Sequence, residues 1–168
     1  IFKAISSIQE EHSLQNFSNL INIIVSGSAD QTYGYFIAHR ETYQSKRIKT
    51  GYACVLDGDM KNRKNSNRIN SFPEEENLHF LYSEFCPEKF LVTEYVNLYP
   101  QSALSYHLKN SDPHCLFEKM IENSICLSRH EAFEICWDIF KNTPHGSEYF
   151  ESLKRFIIDM AKKYSPDL

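Results

Sequence analysis

Apolar residues fall into runs whose spacing changes along the chain. Ile1, Phe2, Ile5 and Ile8 recur three and four residues apart, which predicts a helical pattern from Ile1 to about Leu20. The β-branched run Ile21-Asn22-Ile23-Ile24-Val25, stopped by Ser26-Gly27-Ser28, reads as a buried strand followed by a tight turn. Asp30 is placed to cap the next element, where Tyr33, Phe36 and Ile37 predict a helix to about Tyr43. A basic loop, Lys46-Arg47-Ile48-Lys49, leads to a near-continuous apolar run from Tyr52 to Leu56 that ends in Asp57-Gly58-Asp59. A third run, Leu78 to Tyr82, follows a polar insert from Lys61 to Glu76. Pro87 suits the first turn of a helix over Glu88 to about Leu98, because a first-turn N–H has no helical partner to lose. From Pro100 only helical spacing remains, broken near Asp112-Pro113, Leu127-Ser128 and Thr143-Pro144-His145-Gly146.

Strand, helix, strand, with the strands apolar on both faces, predicts a parallel α/β sheet whose crossover helices cover both sides. The expected organisation is an α/β domain over residues 1–99 and an all-helical extension over residues 100–168. Phe133, Trp137, Phe140, Phe150 and Phe156 stand at helical spacings and are expected to form the core of the C-terminal helices rather than a base-stacking platform.

Composition narrows the class. With 168 residues, 42% hydrophobic and 24% charged, the chain has the make-up of a globular domain able to bury a sizeable core. Its net charge of -4 excludes a histone-like protein wrapped in nucleic acid and leaves nucleic acid only a local patch. Five cysteines, an odd number without a CxxC pair, argue against a secreted disulfide framework and for free thiols in a reducing compartment. No apolar stretch has membrane-spanning length and the N-terminus lacks the order of a signal peptide, so a cytoplasmic protein without a membrane partner is expected. Ile1 opens directly into a helical pattern without an initiator Met, from which a longer parent chain is expected.

Val55 to Met60, VLDGDM, is the most informative motif. If the extended geometry of the strand continued, Asp57 and Asp59 would project to one side, with Gly58 leaving room for a ligand. Two such carboxylates repel when both are ionised, and a divalent cation keeps them charged; oxygen-only donors favour Mg²⁺ or Mn²⁺ over zinc. In open α/β sheets ligands bind beyond the carboxyl ends of the strands, where this pair stands. The competing reading is structural: Asp-Gly is a common turn dipeptide, and the pair would then only cap a turn.

Glu84 and Glu88, in SEFCPEKF, are second candidates for the same sheet edge, although a Glu in a first helical turn is favoured by the helix dipole alone. Between Arg40 and Arg68 eight basic residues (Arg40, Lys46, Arg47, Lys49, Lys61, Arg63, Lys64, Arg68) face three acidic ones, the balance a phosphodiester substrate would need, or a solvated loop. Other chemistries are excluded. Lys61 and Asn62 stand where an EF-hand needs an oxygen ligand and a Gly, and no Thr follows the aspartates as in haloacid-dehalogenase-type phosphatases. The histidines and cysteines lack ligand spacing, His130-Glu131 lacks a zincin's second His, and there is no Walker A loop, GxGxxG or GxSxG.

A strand ending in a small-residue turn, a helix, and a strand ending in DGD resemble the Toprim fold, in particular that of the overcoming-lysogenization-defect (OLD) nucleases, which carry an ABC-type ATPase ahead of it. The resemblance covers about residues 20 to 98. It matches IIVSGSADQTYGYF to the second strand and helix, VLDGDM to the metal-binding DxD strand, and LHFLYSEFCPEKFLV to the fourth strand and the glutamate-bearing helix start, with Glu88 the matching carboxylate and Glu84 the second choice. Toprim domains place a Glu after their first strand, where VSGSAD has Ser26; in the preferred register IIVSGS is the second strand and that Glu lies upstream of Ile1. The resemblance implies a Rossmann-like parallel sheet flanked by helices, one or two Mg²⁺ or Mn²⁺ ions on Asp57, Asp59, Glu88 and Glu84, and a catalytic Lys matched by Lys141 or Lys119. It implies a DNA endonuclease or nickase whose backbone contacts are Lys46, Arg47, Lys49, Lys61, Arg63, Lys64 and Arg68. It further implies an ATPase domain in the same parent chain, a homo-oligomer, and a setting in antiviral defence, retron-linked systems and their other components included. Two rival readings stay open: a nucleotide-sugar glycosyltransferase fragment, which also uses a DxD, and a degenerate Toprim-like module that docks partners through the helices after Pro100.

Overall fold

The structure, a computed structural model, describes residues 1–14, 17–25, 27–46, 51–62 and 76–165. It is mixed α/β and mostly helical, with a two-stranded parallel sheet among the described residues. The chain divides into two compact units: residues 1–56, 60–81 and 150–168 form one, and residues 57–59 and 82–149 the other.

In the first unit, α1 (Phe2–Glu11) buries Ala4, Ile5 and Ile8 on one stripe. The helix expected to reach Leu20 stops early, because the stripe lapses over the polar run Gln9 to Ser13 and Ser13 takes a left-handed φ of 53°. A short 3-10 turn, Phe17–Leu20, then buries Phe17. The strand expected over Ile21–Val25 does not form. These residues pair with neither strand, and Ile24 and Val25 are 75% and 87% exposed. β-branching favours a pleated surface only where a neighbouring strand supplies hydrogen bonds and packing.

α2 (Ala29–Lys46) begins with a reciprocal cap. Ser28 Oγ accepts from the Gln31 N–H at 3.3 Å, and Gln31 Oε1 accepts from the Ser28 N–H at 3.2 Å. Ser28 therefore does the capping expected of Asp30, which lies inside the first turn.

β1 (Cys54–Leu56) and β2 (Leu78–Phe80) pair in parallel, Cys54 opposite Leu78 and Leu56 opposite Phe80, and the Leu81 N–H continues the ladder to the Leu56 carbonyl at 2.9 Å. Alternation sends Cys54, Leu56, Leu78 and Phe80 to one face, where they pack with Tyr33 and Phe36 of α2. Val55 and Leu81 join the opposite cluster with Ile5 and Ile8 of α1 and with Leu153 and Ile157 from the later part of α7 (Pro144–Tyr164). Helices on both faces explain why these strands are continuous apolar runs.

The second unit is built on α3 (Pro87–Leu98), α4 (Leu104–Asn110), α5 (Leu116–Glu122) and α6 (Arg129–Phe140). Leu91 and Val92 of α3 share a core with Leu104, Leu116, Met120, Ala132, Cys136 and Phe140. The compact units therefore do not divide at residue 99: α3 packs with the helices that follow it, and α7 beyond Tyr149 belongs with the sheet. The aromatic residues divide likewise, Phe133, Trp137 and Phe140 in this core and Phe150 in the sheet unit. Ser128 caps α6 by accepting the Glu131 N–H at 3.1 Å. At the turn into α7, Thr143 Oγ1 accepts the Gly146 N–H at 3.0 Å, and Gly146 lies so close to the Phe140 carbonyl that a Cβ there would collide with it.

Candidate metal centre

Asp57 follows the last residue of β1 directly, but the extended geometry does not continue; Gly58–Asn62 turn into a 3-10 helix. The charges of Asp59 and Glu88 reach Asp57, but among the described residues the ligand atoms of these three carboxylates do not all lie within 4.8 Å of one another. Burial pushes the Asp57 carboxyl above its ordinary range, the charges of Asp59 and Glu88 push it further, and His114 opposes them. All four belong to the second unit.

Local structure explains how Glu88 arrives there. Cys86 takes an extended conformation before α3, Pro87 opens the helix, and Glu88 falls in its first turn. Its carboxylate, 17% exposed, is held from two sides: Arg129 reaches Oε1 at 3.4 Å and His114 Nδ1 lies 3.7 Å from Oε2. Arg129 also pairs with Glu118 of α5, so one guanidinium ties two carboxylates. His114 is fixed at its backbone, where its N–H donates to Asp112 Oδ1 at 3.0 Å within the 3-10 turn Pro113–Cys115.

Asp59 Oδ1 is buried and accepts no hydrogen bond. A buried carboxylate oxygen without a donor costs about 1–3 kcal/mol or more, and a bound cation removes that cost. An orphaned carboxylate oxygen two residues from a second aspartate suits a hard divalent cation. Tyr149 adds to the setting: burial, and then the charge of Asp57, push its phenol well above its ordinary range and keep it protonated.

The remaining sequence candidates are placed as follows. Glu84 is exposed in the stretch before α3, and the charges acting on Asp57 are those of Asp59, Glu88 and His114. Lys141, at the end of α6, pairs with Asp138 at 2.7 Å, and Lys119 pairs with Glu122 at 2.6 Å. Of the expected DNA contacts, Lys61 is exposed in the 3-10 turn after Asp59 and Lys46 is the last residue of α2. Arg47, Lys49, Arg63, Lys64 and Arg68 lie outside the described residues, as does Ser26.

Sequence spacing missed Cys86, His114 and Arg129. His114 and Arg129 reach Glu88 only through tertiary packing, so no local signal marked them; Cys86 stood inside the motif that named Glu88 but read as a plain thiol. An open apolar depression on the same unit, lined by Tyr95, Leu98, Tyr99 and Ile125 among others, carries no carboxylate, thiol or imidazole. No described helix is long and apolar enough to cross a membrane. Comparisons with protein-family models, with curated proteins and with solved structures found no match to this chain.

Proposed function

We propose that the chain is a metal-dependent DNA endonuclease or nickase module of the Toprim type, hydrolysing phosphodiester bonds. The observation that carries this reading is the Asp59 Oδ1 of the DxD, buried and without a hydrogen-bond partner in the turn that follows β1. Asp57, Asp59 and Glu88 would hold one or two Mg²⁺ or Mn²⁺ ions. Such ions, when bound, activate water and stabilise the entering and leaving oxygens of the phosphate.

The chain's own residues supply the rest. Arg129 holds one oxygen of the Glu88 carboxylate, and the second lies 3.7 Å from His114 Nδ1. Tyr149, pushed up first by burial and then by the charge of Asp57, would stay a neutral phenol rather than act as a base. The basic residues from Lys46 to Arg68 would grip the DNA backbone, which predicts binding that weakens as salt rises. Coupling to an ATPase in the same parent chain, homo-oligomerisation and an antiviral, retron-linked setting belong to this proposal through the OLD-type resemblance alone.

Nicking of supercoiled plasmid by the full chain, with Mg²⁺ or Mn²⁺, tests it. Metal-dependent nicking lost in both Asp57→Asn and Asp59→Asn supports the reading. No nicking with either metal, or nicking untouched by both substitutions, overturns it in favour of an interaction module.

A further inference from the structure

Beside the carboxylates lies a donor set of different chemistry. Cys86 Sγ, a carboxylate oxygen of Glu88 and a ring nitrogen of His114 all lie within 4.8 Å of one another. We propose that these three side chains form a site for a borderline-soft divalent cation, zinc in the first place.

The donors are positioned by separate elements of one unit: Cys86 and Glu88 bracket Pro87 at the start of α3, and His114 comes from the 3-10 turn that packs on that helix. Tetrahedral zinc bonds of about 2.3 Å to sulfur and about 2.0 Å to nitrogen and oxygen put neighbouring donors about 3.3–3.5 Å apart. Glu88 Oε2 and His114 Nδ1, at 3.7 Å, are already near that spacing. The thiol lies within 4.8 Å of both and closes on them when an ion binds; His114, with 64% of its side chain exposed, has room to adjust and leaves an entry path.

The second shell is also present. Arg129 holds Glu88 through Oε1, leaving Oε2 for an ion. The Asp112 carboxylate fixes the turn that carries His114. Burial first, and then the charges of Glu88 and Asp59, push the Cys86 thiol above its ordinary range, so a thiolate there needs a bound dication to offset both. A thiol among the donors selects zinc or cobalt over magnesium, and three protein ligands leave a fourth position open to water. Glu88 belongs to both donor sets, so an ion in one weakens the other; only this coupling, and not the site, rests on the magnesium reading.

Cobalt absorption tests the site without any assay of activity. The full chain, kept reduced, is titrated with CoCl₂ and then with ZnCl₂. The expected result is a thiolate-to-cobalt charge-transfer band, removed by one equivalent of zinc, absent in Cys86→Ser, and retained in Cys115→Ser. His114→Ala, a change at an exposed side chain, is expected to weaken cobalt binding at least 10-fold and decides the matter if Cys86→Ser does not fold. No band in the unaltered chain, a band that survives Cys86→Ser, or unchanged affinity in His114→Ala would overturn the proposal.

Discussion

Two charged centres in this molecule are built on opposite principles. In the sheet unit, Lys154 of α7 has 7% of its side chain exposed, yet its ammonium meets both oxygens of Glu11 at 2.7 and 2.8 Å and Glu151 at 2.6 Å. That centre answers its own charge. In the helical unit, the charges of Asp59 and Glu88 bear on Asp57, while Arg129 and His114 lie against Glu88. Among the described residues, one buried oxygen of Asp59 has no hydrogen-bond partner. Folding alone rewards the first arrangement, because a buried charge must be paired, and penalises the second. The difference supports the proposed metal site: ligand binding is a reason to retain a buried carboxylate oxygen to which the described residues offer no donor.

Neutralising one aspartate should separate function from stability most widely. Asp57→Asn is expected to lower metal-dependent nicking by at least about 100-fold. In metal-free buffer the same change should raise the thermal midpoint by roughly 2–4 °C, the shift about 1 kcal/mol produces at this size, because it relieves repulsion. A plasmid assay beside a thermal melt checks both, and a fall in midpoint would remove the contrast with Lys154.

The next largest effect belongs to Lys154. Lys154→Ala should cost about 1–2 kcal/mol, mainly through the packing of its buried stem, whereas Lys154→Met, which keeps that packing, should cost less than 1 kcal/mol because it removes charge and desolvation together. Urea denaturation measures the pair of variants. Equal losses in both would make the ion pair, rather than the packing, the stabilising element.

Acid should move the two centres in opposite directions. The hydrogen bond from Lys154, with help from Ser7, holds Glu11 below its ordinary 4.5, so its contribution is present above that value and is lost as pH falls through the folded pKa. Burial alone would lower the Lys154 pKa, but its bonds to Glu11 and Glu151 outweigh burial and raise it, so that contribution persists past 10.5 and is lost as pH rises through the folded pKa. Asp57 is raised above 3.8, first by burial; in metal-free protein its contribution is full below that value and is lost as pH rises through the folded pKa. Stability followed from pH 7 to 3 should therefore fall less steeply in Glu11→Gln and gain less on acidification in Asp57→Asn.

Glu84→Gln offers the smallest expected effect, a change in nicking within about twofold. Its carboxylate is exposed and is not among the charges acting on Asp57. A loss comparable to Glu88→Gln would move the third carboxylate from α3 to the segment before it.

Much of the frame was legible because it rests on periodicity and caps. The runs ending at Leu56 and starting at Leu78 became strands, since each alternates between two helix-covered faces, and Pro87 marked the start of α3. The run Ile21–Val25 misled because composition alone cannot supply a strand partner. At the site, the DxD and Glu88 were visible as motifs. The residues that orient Glu88 were not, because His114 and Arg129 are brought to it by the packing of the turn and of α6 against α3. That is information no local window contains.

Manganese binding to the full chain, followed by the electron paramagnetic resonance of free Mn²⁺, tests the central claim most directly. Saturable binding of one or two ions in the unaltered protein, weakened at least 10-fold in Asp59→Asn while Lys154→Met binds as before, is the predicted result. No saturable binding, or equal binding in Asp59→Asn, would contradict it and return the three carboxylates to the role of an unbalanced turn.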